Sequence, residues 1–348
     1  MSRSVTIFTS IAPRNVEAQL EALATWRGFA ERIVTVNERR EAPLLGDLPD
    51  WIDRHAFDDD IPYPRLYVRL AKLAEAMRAA PTDRAVFINS DISLAAPDEL
   101  RQAIDSDDSG LLFASRTDTD EAGAPISVYT DGFDFFCFRP EHAGHMGHPQ
   151  MFIGLPWWDF LVPLEFVRHG LVATRLPGHL IHHRQHPQKW DRAAFLDKSS
   201  VVLRHVTNWP GARALVEEET KQFTWQVNTF LNSKLMQGAA RAGQKDALDK
   251  LIALWRRVHA HHPSKNAWKT EVWLVNRLYY RYTRMAEAFA TGLRGSPTIY
   301  RLARVTYRTA NWLIPQYVKK TPASVVHDIL VKPKRDAEGQ PPGRADTV

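Results

Sequence analysis

The sequence contains a single cysteine, Cys137, and no apolar run long enough to cross a lipid bilayer. One cysteine cannot form an internal disulfide bond, which excludes the small secreted scaffolds that depend on such bonds. A membrane-spanning helix needs about 18 consecutive apolar residues, and the first residues lack the apolar stretch of a signal peptide. We therefore expect a cytoplasmic protein that is soluble or peripherally attached to a membrane.

Several nucleotide-binding and hydrolase motifs are also missing. The chain has no G-x-x-x-x-G-K-[ST] loop, no G-x-G-x-x-G after its first apolar run, no H-E-x-x-H and no G-x-S-x-G. These motifs carry the chemistry of P-loop kinases, dinucleotide-dependent oxidoreductases, zinc proteases and α/β-hydrolases respectively. The absence of these motifs argues against all four classes of enzyme.

The 348 residues include 44% apolar and 24% charged residues, which is typical of a folded globular protein. Charge is distributed unevenly: residues 1–200 carry 21 basic and 29 acidic side chains, and residues 201–348 carry 24 and 11. Between Lys265 and Arg335, 14 basic and 3 acidic residues alternate with Trp and Tyr. This segment favours an anionic neighbour.

Short apolar runs alternate with helical periodicity through the first 200 residues. Runs rich in β-branched and aromatic residues predict strands at VTIF, RIVTV, AVFI, GLLFAS, FDFFCF and LVATRLP. Helical spacing covers residues 16–26 and 65–80, where Leu66, Leu70, Leu73 and Met77 share one face. Strands that alternate with helices predict an α/β protein with a mostly parallel sheet.

The pattern changes near residue 209. Beyond it, Ala, Leu, Lys, Gln and Glu become frequent, strand-like runs end, and several amphipathic helices fit the spacing. The last 17 residues are rich in charge, Pro and Gly, a composition typical of disorder. We predict a catalytic α/β domain at 1–208, a helical basic region at 209–331 and a disordered tail at 332–348.

The strongest local motif is Asn89-Ser90-Asp91, which directly follows the apolar run AVFI. This position predicts a carboxylate at the carboxyl end of a parallel strand, where open α/β sheets bind ligands. Asp91 could share a hard divalent cation with a diphosphate, and Asn89 could bond a ribose. The alternative is that the tripeptide turns the chain and caps the next segment.

In the order of its motifs, the first 200 residues resemble the GT-A glycosyltransferases, enzymes that use nucleotide sugars and have a Rossmann-like sheet. Asn-Ser-Asp stands where that family has its D-x-D motif, with Asn in place of the first Asp. The resemblance implies the GT-A fold and assigns the nucleotide to residues after the first and second strands and after AVFI. The nucleotide-binding candidates are Thr9, Ser10, Asn37, Glu38 and Asn89.

The resemblance also implies a divalent metal, Mn²⁺ or Mg²⁺. Asp91 is its expected carboxylate ligand, and the histidine expected late in the domain is His183, with His182 next. The cluster His142, His145 and His148 is an alternative zinc site, although Gly144, Gly147 and Pro149 favour a loop there. Basic residues could reach the diphosphate or form a solvated face: Arg65, Arg69, Lys72 and Arg116.

The segment GLPWWDF is the candidate acceptor site. Trp157 and Trp158 could stack on a sugar, and Asp159 could be the general base that activates a hydroxyl group. The alternative is that both tryptophans belong to the core and Asp159 caps a helix. Asp131 and Asp134, in TDGFDFFCF, could line the donor sugar or form a solvated turn.

These observations predict a metal-dependent glycosyltransferase that moves a sugar from a nucleotide donor to a hydroxyl group of a glycan or lipid-linked acceptor, in cell-envelope or surface polysaccharide synthesis. One alternative is a nucleotidyltransferase, which normally has a glycine-rich basic loop where this chain has TSIAPRN. Another is a silent nucleotide-sugar binder that docks on a membrane. The basic C-terminal region predicts peripheral binding to anionic lipid rather than nucleic acid, with a solvated face or a homo-oligomer contact as alternatives.

Overall fold

The computed structural model describes residues 2–58, 67–185, 192–209, 217–237 and 243–260, together with Ala212 and Leu215. The chain divides into two compact units, Met1–Ile252 and Ala253–Val348, and the architecture below is that of the first. This unit extends past residue 208, where the sequence analysis placed a domain boundary. The basic segment from Lys265 onward and the predicted tail lie outside the described residues.

The described strands and helices alternate along the first half of the chain. The strands are β1 (Val5–Thr9), β2 (Arg32–Glu38), β3 (Ile52–Phe57), β4 (Arg84–Ile88), β5 (Ile92–Leu94), β6 (Leu111–Ala114), β7 (Thr117–Thr119), β8 (Pro125–Val128), β9 (Phe135–Phe138), β10 (Ala173–Leu176) and β11 (Ile181–Arg184). The helices are α1 (Val16–Ala24), α2 (Leu70–Arg78), α3 (Pro97–Ser106), α4 (Trp158–Arg168), α5 (Arg192–Thr207), α6 (Glu217–Leu231) and α7 (Gln244–Ala260).

Seven of the described strands form the main sheet, in the order β10-β6-β9-β4-β1-β2-β3. All of its pairings are parallel except those of β9, which runs antiparallel to both β4 and β6. β1, β4, β6 and β9 are buried along their whole length, as expected for central strands covered on both faces. The predicted α/β architecture is confirmed: the sheet is mostly parallel, Rossmann-like and flanked by helices.

The two faces of the main sheet have different cores. One face packs aliphatic residues, including Val5, Ile7 and Leu112, around Trp26. The other is aromatic: the Trp158 ring centroid lies 5.1 Å from that of Phe87 and 5.6 Å from that of Phe136. The aromatic face therefore fixes the start of α4 against the centre of the sheet.

A second, small sheet has the order β5-β11-β7-β8. The sequence analysis did not predict it. Its strands have three or four residues, and TDT and IHHR are largely polar, so no apolar run marks them. β11 pairs antiparallel with β5 and parallel with β7, and these pairings bring distant segments together.

Helix α5 is held to α4 by a buried acid. Glu165 of α4 is 3% exposed and accepts hydrogen bonds from Arg168 at 2.8 and 2.7 Å. His205 of α5 places its Nε2 atom 3.0 Å from Glu165 Oε2. The packing of α5 and α6 against α4 joins these helices to the sheet unit.

Candidate active site

The carboxyl edge of the main sheet collects the polar residues that follow its strands. β9 runs antiparallel, so its first residue lies at the edge where β4 and β6 end, and Phe135 pairs with both Ile88 and Ala114. Asp134 and Asn89 are joined there by a backbone bond of 3.3 Å from Asn89 N to Asp134 O. Ligands of open α/β sheets bind at this edge.

The small sheet aligns His183 with two carboxylates. His183 pairs with Ile92 on one side, next to Asp91, and with Asp118 on the other. Its Nε2 atom lies 3.4 Å from Asp91 Oδ2, and its Nδ1 atom lies 3.0 Å from Asp118 Oδ1. The His183 side chain is almost fully buried, whereas 43% of the Asp91 side chain is exposed. Asp91 therefore faces the solvent side of this cluster.

Arg116 connects the small sheet to the main sheet. Its Nε atom donates to Asp118 Oδ1 at 2.8 Å, and its Nη1 atom donates to Asp134 Oδ2 at 2.9 Å. The second oxygen of Asp134 accepts a 2.8 Å bond from Asn89 Nδ2. Burial alone would lower the pKa of Arg116, but the carboxylates of Asp134 and Asp118 raise it above its usual value.

This network changes the roles that the sequence analysis gave to two residues. We expected Arg116 to reach a diphosphate and Asp134 to line the donor sugar. Arg116 is 7% exposed and Asp134 is 4% exposed, and each is bonded to the other. Both side chains therefore support the site from its buried side, and Asp91 is more exposed than Asp134.

Asp91 and His183 fit a divalent cation. In the tautomer in which Asp118 accepts the Nδ1 proton, Nε2 presents a lone pair toward Asp91 Oδ2, and this pair of donor atoms would suit a cation. A separation of 3.4 Å is also about what two ligands of one ion span at bond lengths of roughly 2.1 Å. Within the described residues, no three His, Cys, Asp or Glu side chains form a metal-binding group. An ion here would need further ligands, which diphosphate oxygens and water supply.

Asp159 lies at the start of α4, next to the loop that leads into β9. Its Oδ2 atom accepts a 3.1 Å hydrogen bond from Phe133 N. A β-carbon on Gly132 would lie 2.7 Å from the same oxygen, so only glycine fits this position without displacing the carboxylate. Burial and the nearby charge of Asp134 raise the pKa of Asp159 to about 7. The backbone N–H groups of Asp159 and Phe160, in the first turn of α4, partly offset this rise.

Trp157 and Trp158 do not face a ligand, contrary to the expectation that they stack on a sugar. Trp157 is 1% exposed, and its ring stacks on Phe223 of α6 with centroids 5.0 Å apart. Trp158 is 5% exposed and belongs to the aromatic face of the main sheet. Phe223 lies more than 60 residues away in sequence, so the residues around the tryptophans could not distinguish a sugar-stacking role from a core role. Trp157 also adopts a left-handed backbone with φ of 79° at the helix start.

Asp131 lies on the exposed loop that covers Asp159. Its Oδ1 atom accepts a 3.0 Å bond from Asn228 of α6, and Asn232, one turn later, donates to Thr130 O at 3.3 Å. This loop, Thr130–Phe133, is thus tied to α6. Sequence reasoning missed Asn228 and Asn232 because their partners are about 100 residues distant.

The nucleotide-binding candidates at the ends of β1 and β2 lie along the same carboxyl edge of the main sheet, on the side away from β6 and β9. Asn37 is 2% exposed and uses its amide within the protein: Oδ1 accepts from Thr35, and Nδ2 donates to Ile11 O and Glu41. Glu38 accepts bonds from the backbone and side chain of Arg40. The side chains of Asn37 and Glu38 are therefore engaged in hydrogen bonds within the protein at the carboxyl end of β2. The Thr9 side chain is buried, and Ser10, which follows it, is partly exposed.

The remaining candidates lie away from the Asp91–His183 pair. His142 and His145 stack in a turn with centroids 5.9 Å apart, and His148 packs on His205. Burial lowers the pKa of His148 to about 4. Lys72 pairs with Glu75 on α2 at 2.9 Å. His182 is the strand neighbour of His183, and Arg69 forms an isolated β-bridge with Phe152. Arg65 lies outside the described residues.

No protein-family model matches this sequence, and no curated protein sequence matches it. Among solved structures, the mannosyltransferase PcManGT from Pyrobaculum calidifontis, in complex with GDP-Man and Mn²⁺, aligns over 92% of this chain and 89% of its own, with 12% identity and a TM-score of 0.40. S. aureus TarS 1-349 in complex with UDP-GlcNAc aligns over 74% and 87%, with 11% identity and a TM-score of 0.40. HddC from Yersinia pseudotuberculosis aligns over 44% and 84%, with 11% identity and a TM-score of 0.29.

These are distant likenesses. Among the described helices, none is both long and apolar enough to cross a membrane.

Proposed function

We propose that this protein is a glycosyltransferase that moves a sugar from a nucleotide-sugar donor to a hydroxyl group of an acceptor. The observation that carries the proposal is the alignment of Asp91, His183 and Asp118 at the sheet edge where Asn89 and Asp134 also lie. Asp91 and His183 would hold the divalent ion, Mn²⁺ or Mg²⁺. When bound, such an ion offsets the negative charge on the departing diphosphate.

The residues around this pair keep it in one arrangement. Asp118 holds His183 by its Nδ1 atom, which fixes the ring so that Nε2 points toward Asp91. Arg116 holds Asp118 and Asp134 in place, and its charge compensates for the burial of two carboxylates. The site is therefore built before any ligand binds, as electrostatic catalysis requires.

Asp159 is the proposed general base. The acceptor hydroxyl attacks the anomeric carbon of the sugar, the bond from that carbon to the diphosphate breaks, and the hydroxyl proton passes to the Asp159 carboxylate. A pKa of about 7 suits this role, because a base is most effective when its pKa is near the working pH. The bond from Phe133 N fixes one oxygen of the carboxylate and thereby orients it.

The function is tested by incubating the protein with a panel of nucleotide sugars, with and without Mn²⁺, and following thermal stability and nucleotide products. We expect stabilisation by at least one nucleotide sugar, greater with Mn²⁺, and release of a nucleoside diphosphate when a suitable acceptor is present. Release of pyrophosphate would support the nucleotidyltransferase alternative. Stabilisation without turnover against any acceptor would support a silent binder.

Asp91→Asn is the decisive variant, because it keeps the shape of the side chain and removes the charge. Asp120→Asn is a matched control, since Asp120 lies on the exposed β7–β8 turn and bonds only local backbone among the described residues. We expect the first change to abolish the Mn²⁺-dependent part of the stabilisation and the second to leave it intact. Equal behaviour of the two variants would contradict the proposed donor site.

The second part of the proposal concerns where in the cell the enzyme acts. The basic and aromatic composition of residues 265–335 favours a surface that carries anionic lipid, and envelope glycans are assembled on such surfaces. We propose a lipid-linked or envelope glycan acceptor used at the inner face of the cytoplasmic membrane. The vesicle experiment in the Discussion tests this part separately from catalysis.

A further inference from the structure

Arg175 lies near the carboxyl end of its strand, at the same end of the main-sheet strands as the candidate active site. It occupies β10, the edge strand of the main sheet, in register with Phe113 of β6. Its Nη2 atom donates to Ser115 Oγ at 3.0 Å. Ser115 is fully buried and is followed by Arg116, whose carbonyl accepts a 2.8 Å bond from Tyr129 N. The guanidinium is therefore near the start of the loop that covers Asp159.

Arg175 differs from Arg116 in its charge balance. Arg116 has carboxylate oxygens at 2.8 and 2.9 Å, whereas no acid of the described residues pairs with Arg175. Its Nε atom is buried and has no hydrogen-bond partner there. Burial lowers the pKa of Arg175, and no neighbouring carboxylate among these residues offsets the effect.

A partly buried cation without a counter-charge is unfavourable, and proteins normally compensate such a group by an ion pair. Arg84 is buried at the opposite end of the strands, and burial lowers its pKa as well. Its Nη2 atom donates to the carbonyl of Asp107, whose carboxylate partly offsets that effect. Among the described residues, the Arg175 side chain has one hydrogen-bond partner, the Ser115 hydroxyl, and the residue lies near the carboxyl end of β10.

We propose that Arg175 binds an oxyanion, a phosphate or a carboxylate, carried by the acceptor substrate. This inference rests on the proposed function, which it extends by naming the chemical class of the acceptor. The planar guanidinium is suited to such groups, because it presents parallel N–H donors to two oxygens at once.

The position of Arg175 favours the acceptor over the donor. β6 and β9 separate β10 from β4, whose end carries Asn89 and Asp91. Three strand spacings of about 4.8 Å place the two strands roughly 14 Å apart, so Arg175 lies on the β10 side of the site and Asp91 lies on the β4 side. The contact to Ser115 instead puts Arg175 beside the residues that lead to Asp159, the proposed acceptor base.

The test compares full-length wild type with Arg175→Met, which keeps most of the side-chain volume and removes the charge. Thermal unfolding is measured in chloride, in inorganic phosphate and in acetate at equal ionic strength. We expect phosphate or acetate to stabilise the wild type, and the variant to bind that anion at least about tenfold more weakly. In chloride, Arg175→Met should be at least as stable as the wild type, because the variant removes a partly buried cation that pairs with no acid of the described residues.

Arg84→Met is the control at a more deeply buried arginine, and Arg54→Met serves as an exposed control. Both should keep the anion response. An equal anion response in wild type and Arg175→Met, or no response in the wild type, would overturn the site.

Calorimetry with UDP and GDP separates the two substrates. Unchanged nucleotide affinity in Arg175→Met supports an acceptor site, and a tenfold loss would assign Arg175 to the donor and overturn the inference. If the wild type binds no nucleotide or nucleotide sugar, the proposed function fails, and the assignment to an acceptor fails with it. The anion comparison needs no turnover, so it tests Arg175 independently of that outcome.

Discussion

Gly132 and Asp159 are in such close contact that a side chain at residue 132 would displace the carboxylate. A β-carbon there would lie 2.7 Å from Asp159 Oδ2, well inside van der Waals contact. The neighbouring Phe133 N–H donates to the same oxygen at 3.1 Å. The loop therefore approaches the proposed base closely enough to hold it, and the glycine is what permits that approach.

Gly132→Ala should displace Asp159 and reduce turnover while the protein remains folded. Because the new methyl group pushes on the carboxylate, we expect kcat to fall by about 10-fold to 100-fold, with little change in nucleotide affinity. Gly144→Ala is the matched control, since a β-carbon at Gly144 meets no atom within 4 Å. Steady-state kinetics and calorimetry check the pair, and equal kcat values in both variants would contradict the positioning role.

The pH dependence of turnover should follow the carboxyl group of Asp159. Its pKa is raised to about 7, so the fraction of base falls as the pH drops below that value. We expect kcat/KM to decrease on the acid side of pH 7, and Asp159→Asn to lower the rate by about 10²-fold to 10⁴-fold and remove this limb. A variant with near-normal rate and an unchanged pH profile would show that Asp159 serves only as a helix cap.

Asp118→Asn should weaken binding of Mn²⁺ without removing a direct ligand. Loss of the carboxylate that orients a metal-bound histidine typically costs about 10-fold to 100-fold in metal affinity. Calorimetric titration of Mn²⁺ in the presence of nucleoside diphosphate measures this, with Asp120→Asn again as control. An affinity equal to that of the wild type would mean that Asp118 does not support His183 in metal binding.

Glu165 should stabilise the fold in a defined pH range. Burial alone would raise its pKa, but hydrogen bonds from His205 and Arg168 lower it to about 2. An unfolded chain has a glutamate pKa of about 4.3, so this stabilisation is complete above that pH and is lost as the pH falls toward 2. Glu165→Gln should lower the free energy of unfolding at pH 7 by on the order of 3 kcal/mol.

Urea unfolding of Glu165→Gln at pH 7 and pH 3 checks this window. The difference from wild type should be clearly smaller at pH 3, where the wild-type ion pair is itself weakened. Glu99→Gln is the control, because its partner His179 is exposed and the pair adds little. The same loss of stability at both values of pH would contradict the linkage.

The basic segment Lys265–Arg335 should bind anionic membranes. Each basic residue near such a surface contributes about 1 kcal/mol at most, and salt screens the attraction. Full-length protein should therefore co-sediment with vesicles that contain anionic lipid at low ionic strength and dissociate at high ionic strength. No binding at low salt, or equal binding to neutral vesicles, would leave a solvated face or an oligomer contact as the explanation of the charge.

Six of the seven main-sheet strands could be predicted because they are short apolar runs, whereas β3, IDRHAF, is mostly polar and exposed and was not predicted. VTIF, RIVTV and AVFI contain few polar residues, and burial on both faces requires that composition. The small sheet could not be predicted, since its register is set by pairing of β11 with segments about 65 to 90 residues away. Polar strands of three residues carry no periodic signal.

The candidate site was predictable only in part. Asp91 and His183 were selected from their positions in the order of motifs, and the structure brings them within 3.4 Å. Asp118 had no such signal, because its role depends on β7 pairing with β11. The tryptophans were assigned to a ligand on chemical grounds, but Phe223 and the sheet bury them, and only tertiary packing reveals this.

Strand β11 carries two adjacent histidines, His182 and His183, and only the second faces Asp91 and Asp118. Because neighbouring side chains in a strand point to opposite faces, a slip of one residue would exchange one imidazole for the other. The same slip would move Ile181, which is fully buried, to the opposite face. Burial of Ile181 therefore fixes the register that places the His183 imidazole between the two carboxylates.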